Sequence, residues 1–482
     1  MASLNSKAEA PKIYTGEGGP AKRITPLQEL IRLTMACLLW EDGFYESGKA
    51  VGARIRELVH QVSLAEAASV AIEAREGMKL RHVPLLIVRE MARHPWLSKD
   101  EPKIVSETLA RVIQRADELT EFLAIYWADG KQPLSKQVKL GLAKAFSKFN
   151  EYELAKYNRD KDIKLRDVLF LCHSKPKDAG GTWTKASRAA YKAAQGNGAA
   201  ITKVLNDTGH EMGDFSPGEM LYGKLIYDQL VTPDTWEVEL SKSTDKTASW
   251  NRLLDEKKLG DLAFLRNLRN MVEAGIGTDA IVSYGDGRNW GRVLPFRFIS
   301  AARVVPQLEP HLERWMFKCL KGSPKLPGRT FLLCDLSSSM DAKLSGKSDL
   351  RRVDAMRALA MLLREVCEEV YIVPFTTEAW EAVPPRRGFA LVDLLDRKKQ
   401  GFPDGTYLGK TVEAVNRARD IDRLIVITDE QTADRVPNPV APLAYMLNVA
   451  ANKNGVGYGR WLHIDGFSEA VVGYIQKYEG SL

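Results

Sequence analysis

Oxygen-bearing side chains follow two apolar segments in the second half of the sequence. The first apolar segment, Phe331–Cys334, leads into Asp335–Ser339, which supplies one carboxylate and two well-spaced hydroxyls. The second, Leu424–Ile427, is followed by Asp429, and Thr406 lies between the two segments. Mg²⁺ prefers about six oxygen ligands, only a few of which are carboxylates. The pattern therefore predicts a divalent cation site, and its candidate ligands are Asp335, Ser337, Ser339, Thr406 and Asp429.

A serine-rich loop after a strand can also be a simple turn, and an isolated Asp-x-Ser-x-Ser would not decide between the two interpretations. Thr406 and Asp429, in the right order, favour the metal. If both apolar segments are central parallel strands, their carboxyl ends meet where open α/β sheets bind ligands. Together these residues resemble the metal-ion-dependent adhesion site of a von Willebrand factor A domain, which implies an open position for an acidic oxygen. Ser338 stands where many such sites carry glycine.

The first two thirds of the chain reads as short amphipathic helices. Capping signals at Thr25–Gln28 and Ser63–Glu66 open two of them. A globular bundle and stacked HEAT-type repeats both fit this pattern. About 300 residues of helix favour the stack, because single cores stop growing near that size. The other predicted helical segments are Val83–Ala92, Pro102–Trp127, Ser135–Phe149, Ile163–Cys172, Lys185–Ala194, Gly218–Leu230 and Leu262–Val272.

The pattern changes after residues 321–328, where strands begin to alternate with helices. Such alternation predicts a doubly wound, mostly parallel sheet. We therefore expect a multidomain protein with a flexible tail (1–22), an all-α HEAT-like module (23–325) and an α/β domain of von Willebrand factor A type (326–482). The predicted strands are Thr330–Cys334, Val370–Phe375, Arg423–Thr428 and Tyr458–Ile464, and the predicted helices are Val353–Glu369, Leu391–Lys398, Leu408–Ala418, Leu443–Ala451 and Glu469–Tyr478.

The composition is that of an ordinary globular protein, with 45% hydrophobic and 27% charged residues among 482. Five cysteines without CxxC or CxxH spacing indicate neither a disulfide framework nor a zinc site, so we expect a cytoplasmic protein. The sequence lacks a signal-peptide pattern and an apolar run of about 18 residues, so we expect no membrane partner. A P-loop, GxSxG and HExxH are all absent, so we expect no enzyme.

Positive charge is concentrated in one stretch. Between Lys131 and Lys203 there are sixteen Lys or Arg and six Asp or Glu, a net +10, and the rest of the chain carries 7 − 10 = −3. This imbalance predicts a surface for polyanions. A solvated helical face with counterions is the alternative.

Within this stretch, Lys156-Tyr157 and Lys164–Pro176 resemble the core motif of the TROVE module of Ro autoantigen proteins. Earlier in the chain, Arg81–Leu86 resembles a stretch of the bacterial Ro-related proteins. The resemblance implies a ring of HEAT-like repeats whose ends are joined by the A domain, formed by one chain without a partner subunit. The resemblance also implies that small Y RNAs bind to the basic outer surface and that single-stranded 3′ ends of misfolded or structured RNAs enter the hole of the ring. It further implies polynucleotide phosphorylase or another exonuclease as a partner. Phe170 departs from the motif, which often has a basic residue there.

Matching motif positions make four residues the candidate RNA contacts, namely Lys156, Lys164, Arg166 and His173. Charge alone adds Lys136, Lys139, Arg159, Lys161, Lys175 and Lys177. His173 could instead be a core or helix-end histidine. Trp183 and Tyr191 could stack on bases, although aromatic residues at helical positions more often lie in a core.

Two functions are consistent with these observations. The first is an RNA-binding protein of Ro type acting in RNA quality control, processing or decay. The second is a protein-binding adaptor that grips an acidic partner side chain through bound Mg²⁺ and uses the helices as a scaffold. Two carboxylates are too few for a two-metal nuclease, so the cation is expected to be structural or a docking point.

Overall fold

A computed structural model describes most of the chain, namely residues 13–14, 18–21, 25–36, 48–78, 80–95, 103–158, 162–178, 216–291, 293, 296–321, 324–344, 351–401, 403–418, 420–450, 456–457, 459–465 and 470–480. Some predicted features lie outside the described residues, namely Arg159, Lys161, Trp183, Tyr191 and the helix Lys185–Ala194. By their contacts the residues form two compact units, Arg54–Ser243 and Met1–Ala53 with Thr244–Leu482. The domain boundaries expected from the change in sequence pattern, at residues 22/23 and 325/326, stay a prediction.

The described regular secondary structure of the unit Arg54–Ser243 is helical. Helix α1 belongs to the other unit. Helix α2 begins at Gly48 in that unit and continues into this one. Ser63 and Glu66 form the predicted capping box at α3, and Asn150 and Glu153 form another at α8. The helices are α1 Pro26–Ala36, α2 Gly48–Val59, α3 Leu64–Glu76, α4 His82–Met91, α5 Ile104–Val112, α6 Asp117–Tyr126, α7 Lys136–Phe146, α8 Glu151–Tyr157, α9 Leu165–Cys172, α10 Pro217–Ile226 and α11 Trp236–Lys242.

The predicted continuous segment Pro102–Trp127 is wrong, because the chain breaks between α5 and α6. Glu118 is fully buried, and its carboxylate accepts the backbone N–H groups of Gln114 (2.8 Å) and Arg115 (3.1 Å). Arg75 also donates to it at 2.7 Å. This buried carboxylate stabilises the break by accepting hydrogen bonds from backbone groups at the turn.

Between Thr244 and Lys321, the described residues of the other unit form five further α-helices and an aromatic core. Trp290 and Trp315 stack with their ring centres 5.4 Å apart, and Phe264 lies against both rings. The helices are α12 Lys246–Asp255, α13 Asp261–Glu273, α14 Thr278–Asp286, α15 Phe296–Val304 and α16 Glu309–Leu320. None of the described helices is long and apolar enough to cross a membrane.

The same unit contains a five-stranded sheet, which is parallel as predicted, although only four of its five strands were predicted. A short antiparallel ribbon within the predicted tail, β1 Ile13–Tyr14 and β2 Pro20–Ala21, precedes it. The sheet strands are β3 Leu326–Asp335, β4 Cys367–Phe375, β5 Arg423–Thr428, β6 Leu443–Asn448 and β7 Leu462–Asp465, in the order β4-β3-β5-β6-β7. The helices of this part are α17 Arg352–Val366, α18 Gly388–Lys399, α19 Leu408–Asn416 and α20 Ala470–Glu479. A helical part followed by a parallel α/β sheet is the architecture that the sequence predicts.

One predicted helix, Leu443–Ala451, is wrong, because strand β6 occupies its first six residues. Ala444 to Asn448 are all buried, since the strand lies between β5 and β7. Inner strands of parallel sheets are covered on both faces and read as continuous apolar runs. Burial therefore overrides the helix propensity of Leu, Ala and Met in this segment. Strand β7 is also shorter and starts later than the predicted Tyr458–Ile464.

Candidate metal centre

The loop after β3 turns its polar side chains back towards the end of the strand. Asp335 is the last residue of β3 and is fully buried. Its Oδ1 accepts the backbone N–H of Ser337 at 2.9 Å, and the Oγ atoms of Ser337 and Ser339 lie 3.1 Å apart. A 3₁₀ turn over Ser338–Asp341 produces this geometry. The three predicted ligands of this loop therefore lie together.

Asp429 reaches the same loop from β5. Strands β3 and β5 pair in parallel with Cys334 beside Ile427, so their carboxyl ends are adjacent. Thr428 donates its hydroxyl to Asp335 Oδ2 at 2.6 Å, and Ser339 hydrogen-bonds the buried Asp429 carboxylate. Four of the five predicted ligands thus form one connected cluster.

Thr406 completes the predicted set on a third loop. Its backbone carbonyl accepts from Thr432 Oγ1 at 3.1 Å and from the Ala433 N–H at 3.0 Å. The neighbouring Asp404 accepts from the Ser338 N–H at 3.4 Å, which links this loop to the first. Thr406 is fully buried, and among the described residues its Oγ1 has no hydrogen-bond partner. A buried hydroxyl without a partner is costly unless something else satisfies it, and a bound cation would do so.

The electrostatics of the centre also fit a cation. Burial, and then the nearby Asp429 charge, raise the pKa of Asp335 to about 7. Burial likewise raises the pKa of Asp429, against the opposing effect of Arg352. The described residues include no cluster of three or more His, Cys, Asp or Glu side chains suited to a metal. Two carboxylates with hydroxyl oxygens suit a hard cation such as Mg²⁺ better than a soft one.

Arg352 is the residue of this centre that sequence reasoning missed. Its guanidinium NH1 donates to Asp429 Oδ2 at 2.8 Å and to the Ser339 carbonyl at 3.3 Å, and the side chain is only 2% exposed. Arginine at the first turn of a helix is ordinary in a sequence. Nothing in the residue pattern indicates that this one points at a carboxylate 77 residues away.

The raised pKa of Asp335 makes the stability of the metal-free protein depend on pH. Because the folded pKa (about 7) exceeds the ordinary value of 3.8, the folded chain keeps a proton that the unfolded chain loses. This group's destabilising contribution is absent below about pH 4 and complete above about pH 7. In chelator, the free energy of unfolding should therefore fall as pH rises through this window, by at most about 1.4 kcal/mol per pH unit. Urea unfolding of the wild type and of Asp335→Asn measures this, and identical pH slopes would contradict it.

The second candidate site is the basic surface around α9. Lys164 precedes this helix, where its backbone N–H donates to Asp167 at 2.8 Å, and Arg166 lies in its first turn. His173 ends it in the left-handed conformation with φ 53° and is exposed. Of the two alternatives for His173, the exposed side chain does not fit a core position, whereas the backbone does lie at the helix end; the RNA contact of His173 stays a prediction. Burial raises the pKa of the neighbouring Cys172 to about 12, which keeps that thiol protonated at neutral pH.

The remaining described lysines of the predicted surface lie on neighbouring segments. Lys136, Lys175 and Lys177 are exposed, and Lys139 and Lys156 are half-buried. Ser174 holds the chain after α9 in place, because its buried Oγ bonds the Ala143 carbonyl (3.2 Å) and the Tyr222 hydroxyl (3.1 Å). These hydrogen bonds fix the position of the C-terminal end of α9, next to the basic residues that flank the helix.

Three comparisons with known proteins each found matches. The TROVE domain family matches residues 228–321, downstream of the motif quoted above. Telomerase protein component 1 of Mus musculus is 33% identical over 185 residues, and that of Rattus norvegicus is 32% identical over 111 residues. These matches cover 36% and 22% of this chain but only 6% and 4% of the relatives.

A solved structure shares the fold over nearly the whole chain. The crystal structure of the Deinococcus radiodurans RO (RSR) protein superposes with a TM-score of 0.57 and covers 93% of this chain and 99% of its own. The sequence identity between the two is 17%. This likeness concerns the fold, and it comprises both the helical part and the parallel sheet.

Proposed function

We propose that this chain, which belongs to the Ro family by its TROVE domain and its fold, binds small non-coding RNAs of the Y RNA kind on the basic helical surface around α9. The single observation that carries the proposal is the set of described basic side chains that flank α9 in a TROVE-containing chain. The predicted second ligand is the single-stranded 3′ end of structured or misfolded RNA. The expected setting is RNA quality control, processing or decay, together with polynucleotide phosphorylase or another exonuclease.

Elementary electrostatics supports this assignment. Lys and Arg side chains on helix faces neutralise phosphates without reading base sequence, so affinity falls steeply with salt. Selectivity then comes from RNA shape and from unpaired ends, whose bases and 2′-hydroxyls are accessible. The HEAT-like ring, the single-chain state and the cytoplasmic location stay predictions of the same proposal, as does the absence of an enzymatic activity.

The proposal assigns a separate role to the metal centre. Asp335, Ser337, Ser339, Thr406 and Asp429 would hold Mg²⁺ there, in a domain of von Willebrand factor A type. A bound Mg²⁺ supplies a Lewis-acidic position for an oxygen of an acidic ligand. The protein-binding adaptor stays the alternative function, and it is favoured by the cluster that Asp335, Ser337, Ser339 and Asp429 form at one end of the sheet.

Gel-shift titrations test the RNA proposal. A structured RNA with a single-stranded 3′ tail is compared with the same RNA blunt-ended and with duplex DNA, across a salt series. We expect preference for the tailed RNA and a linear fall of log affinity with log salt. Absent binding, or equal binding to all three nucleic acids, would overturn the proposal and favour the adaptor.

A further inference from the structure

We propose that Arg352 is a built-in counter-ion of the metal centre that competes with the bound cation for Asp429 and thereby sets a low affinity for Mg²⁺. The inference rests on the metal centre proposed above. Arg352 touches two of the five proposed ligand residues, through Asp429 Oδ2 (2.8 Å) and the Ser339 carbonyl (3.3 Å). Within the described part of the chain, its guanidinium is in direct contact with a proposed ligand carboxylate, that of Asp429.

The position of Arg352 in the fold holds its guanidinium in the site. Arg352 is the first residue of α17, and its backbone N–H donates to the Ala342 carbonyl at 3.0 Å, just after the 3₁₀ turn that carries Ser339. The helix start and the ligand loop are thus joined directly. Because the side chain is almost completely buried, the guanidinium has little room to leave for water.

The surrounding charges leave Asp429 as the carboxylate that Arg352 neutralises. The next acidic residue on the helix, Asp354, already accepts the Arg351 N–H at 2.8 Å and pairs with Arg303 at 2.8 Å. Arg357 also contacts Asp354, at 3.4 Å. The adjacent Arg351 side chain pairs with Asp341 at 3.3 Å and with Asp354 at 3.6 Å. Arg352 and Arg351 therefore have the same charge and neighbouring positions but face different carboxylates.

This geometry has opposite effects on the metal-free and the metal-bound protein. Without metal, two buried carboxylates lie close together, and the guanidinium compensates one of them. When Mg²⁺ binds, its charge comes close to the guanidinium in a poorly screened interior, where like charges repel strongly. The Asp429 carboxylate would then have to coordinate the metal while it also accepts a hydrogen bond from Arg352. Removing the guanidinium charge should strengthen cation binding and weaken the metal-free fold.

Calorimetric titration of Mg²⁺ and Mn²⁺ into Arg352→Met, at pH 8 and low salt, tests the inference. We expect the Kd for both cations to fall at least tenfold relative to the wild type. The melting temperature of the variant should be lower in chelator and should recover more steeply with added Mg²⁺. Arg352→Gln, which keeps a hydrogen-bond donor for Asp429 without charge, should show the same tightening if the methionine variant folds poorly.

Arg351→Met is the matched control. It removes the same charge from the neighbouring residue, whose side chain pairs with Asp341. Its Kd should stay within about threefold of the wild type, since that side chain is substantially exposed to solvent. Unchanged or weaker Mg²⁺ binding in both Arg352 variants would overturn the inference and make Arg352 a residue that positions Asp429. Asp335→Ala distinguishes failure of this inference from failure of the proposed metal centre. If the wild type and the Arg352 variants bind no more cation than Asp335→Ala does, the proposed metal centre is contradicted.

Discussion

A protein in which Lys164, Arg166 and His173 are all replaced by alanine should bind a structured RNA with a single-stranded 3′ tail on the order of 100-fold more weakly than the wild type. The estimate takes two or three charge-assisted phosphate contacts, each contributing about 1–1.5 kcal/mol. Gel-shift or fluorescence anisotropy at fixed salt measures the loss. The slope of log affinity against log salt should also shrink by about two, because two permanent cations are gone.

A charge-matched control separates this local effect from general electrostatics. Arg397 and Lys398 lie near the end of α18, and both are exposed. Replacing these two residues by alanine removes the same permanent charge from a different part of the chain and should change RNA affinity only a few-fold. Asp335→Ala should also keep RNA binding. A similar large loss in all three proteins would contradict a dedicated RNA surface around α9.

The arrangement of the proposed metal ligands was largely predictable because these oxygen-bearing residues lie at or near the ends of recognisable strands. The strand Arg423–Thr428 was predicted with its observed bounds, and Thr330–Cys334 lies inside β3. Parallel pairing of these two strands then brings Asp335 and Asp429 to the same end of the sheet. A local pattern and one topological rule were sufficient for this part of the site.

Contacts between distant polar residues were not predictable in the same way. Glu118 breaks a predicted helix by capturing backbone N–H groups, and Arg352 reaches Asp429 across the sheet end. Both side chains are charged and would be placed at the surface by composition alone. Their burial depends on partners that come together only in the folded chain. Strand β6 was missed for a related reason, since its coverage on both faces is a tertiary property.

The proposed RNA surface around α9 was predicted from a family resemblance and from charge. The motif around Lys164–Pro176 suggested the family, whereas the matched TROVE segment lies at residues 228–321. The two segments fall in different compact units, apart from the first sixteen residues of the match. The structure does place Lys164, Arg166 and His173 on one helix and its caps.

A buried arginine between the start of β5 and the last helix illustrates how strongly such unpredicted contacts can act. Arg423 is 1% exposed, and its Nε and NH2 donate to the Glu479 carboxylate at 2.6 and 2.5 Å. Its NH1 donates to the Pro327 carbonyl (3.1 Å) and to Thr330 Oγ1 (2.9 Å). One side chain thus joins β3, β5 and α20. The sequence shows only an arginine before an apolar run.

We expect Arg423→Met to lower the free energy of unfolding by about 3–5 kcal/mol, because the change leaves the Glu479 carboxylate without its buried partner. Arg329→Met is the matched control, since Arg329 lies on the neighbouring strand but is 37% exposed in its pair with Glu369. It should hardly move the urea midpoint, as exposed pairs contribute little. The double variant Arg423→Met/Glu479→Leu should recover part of the loss, because neither charge is then left unpaired. Equal midpoints for the Arg423 and Arg329 variants would show that the buried contact does not hold the sheet to its last helix.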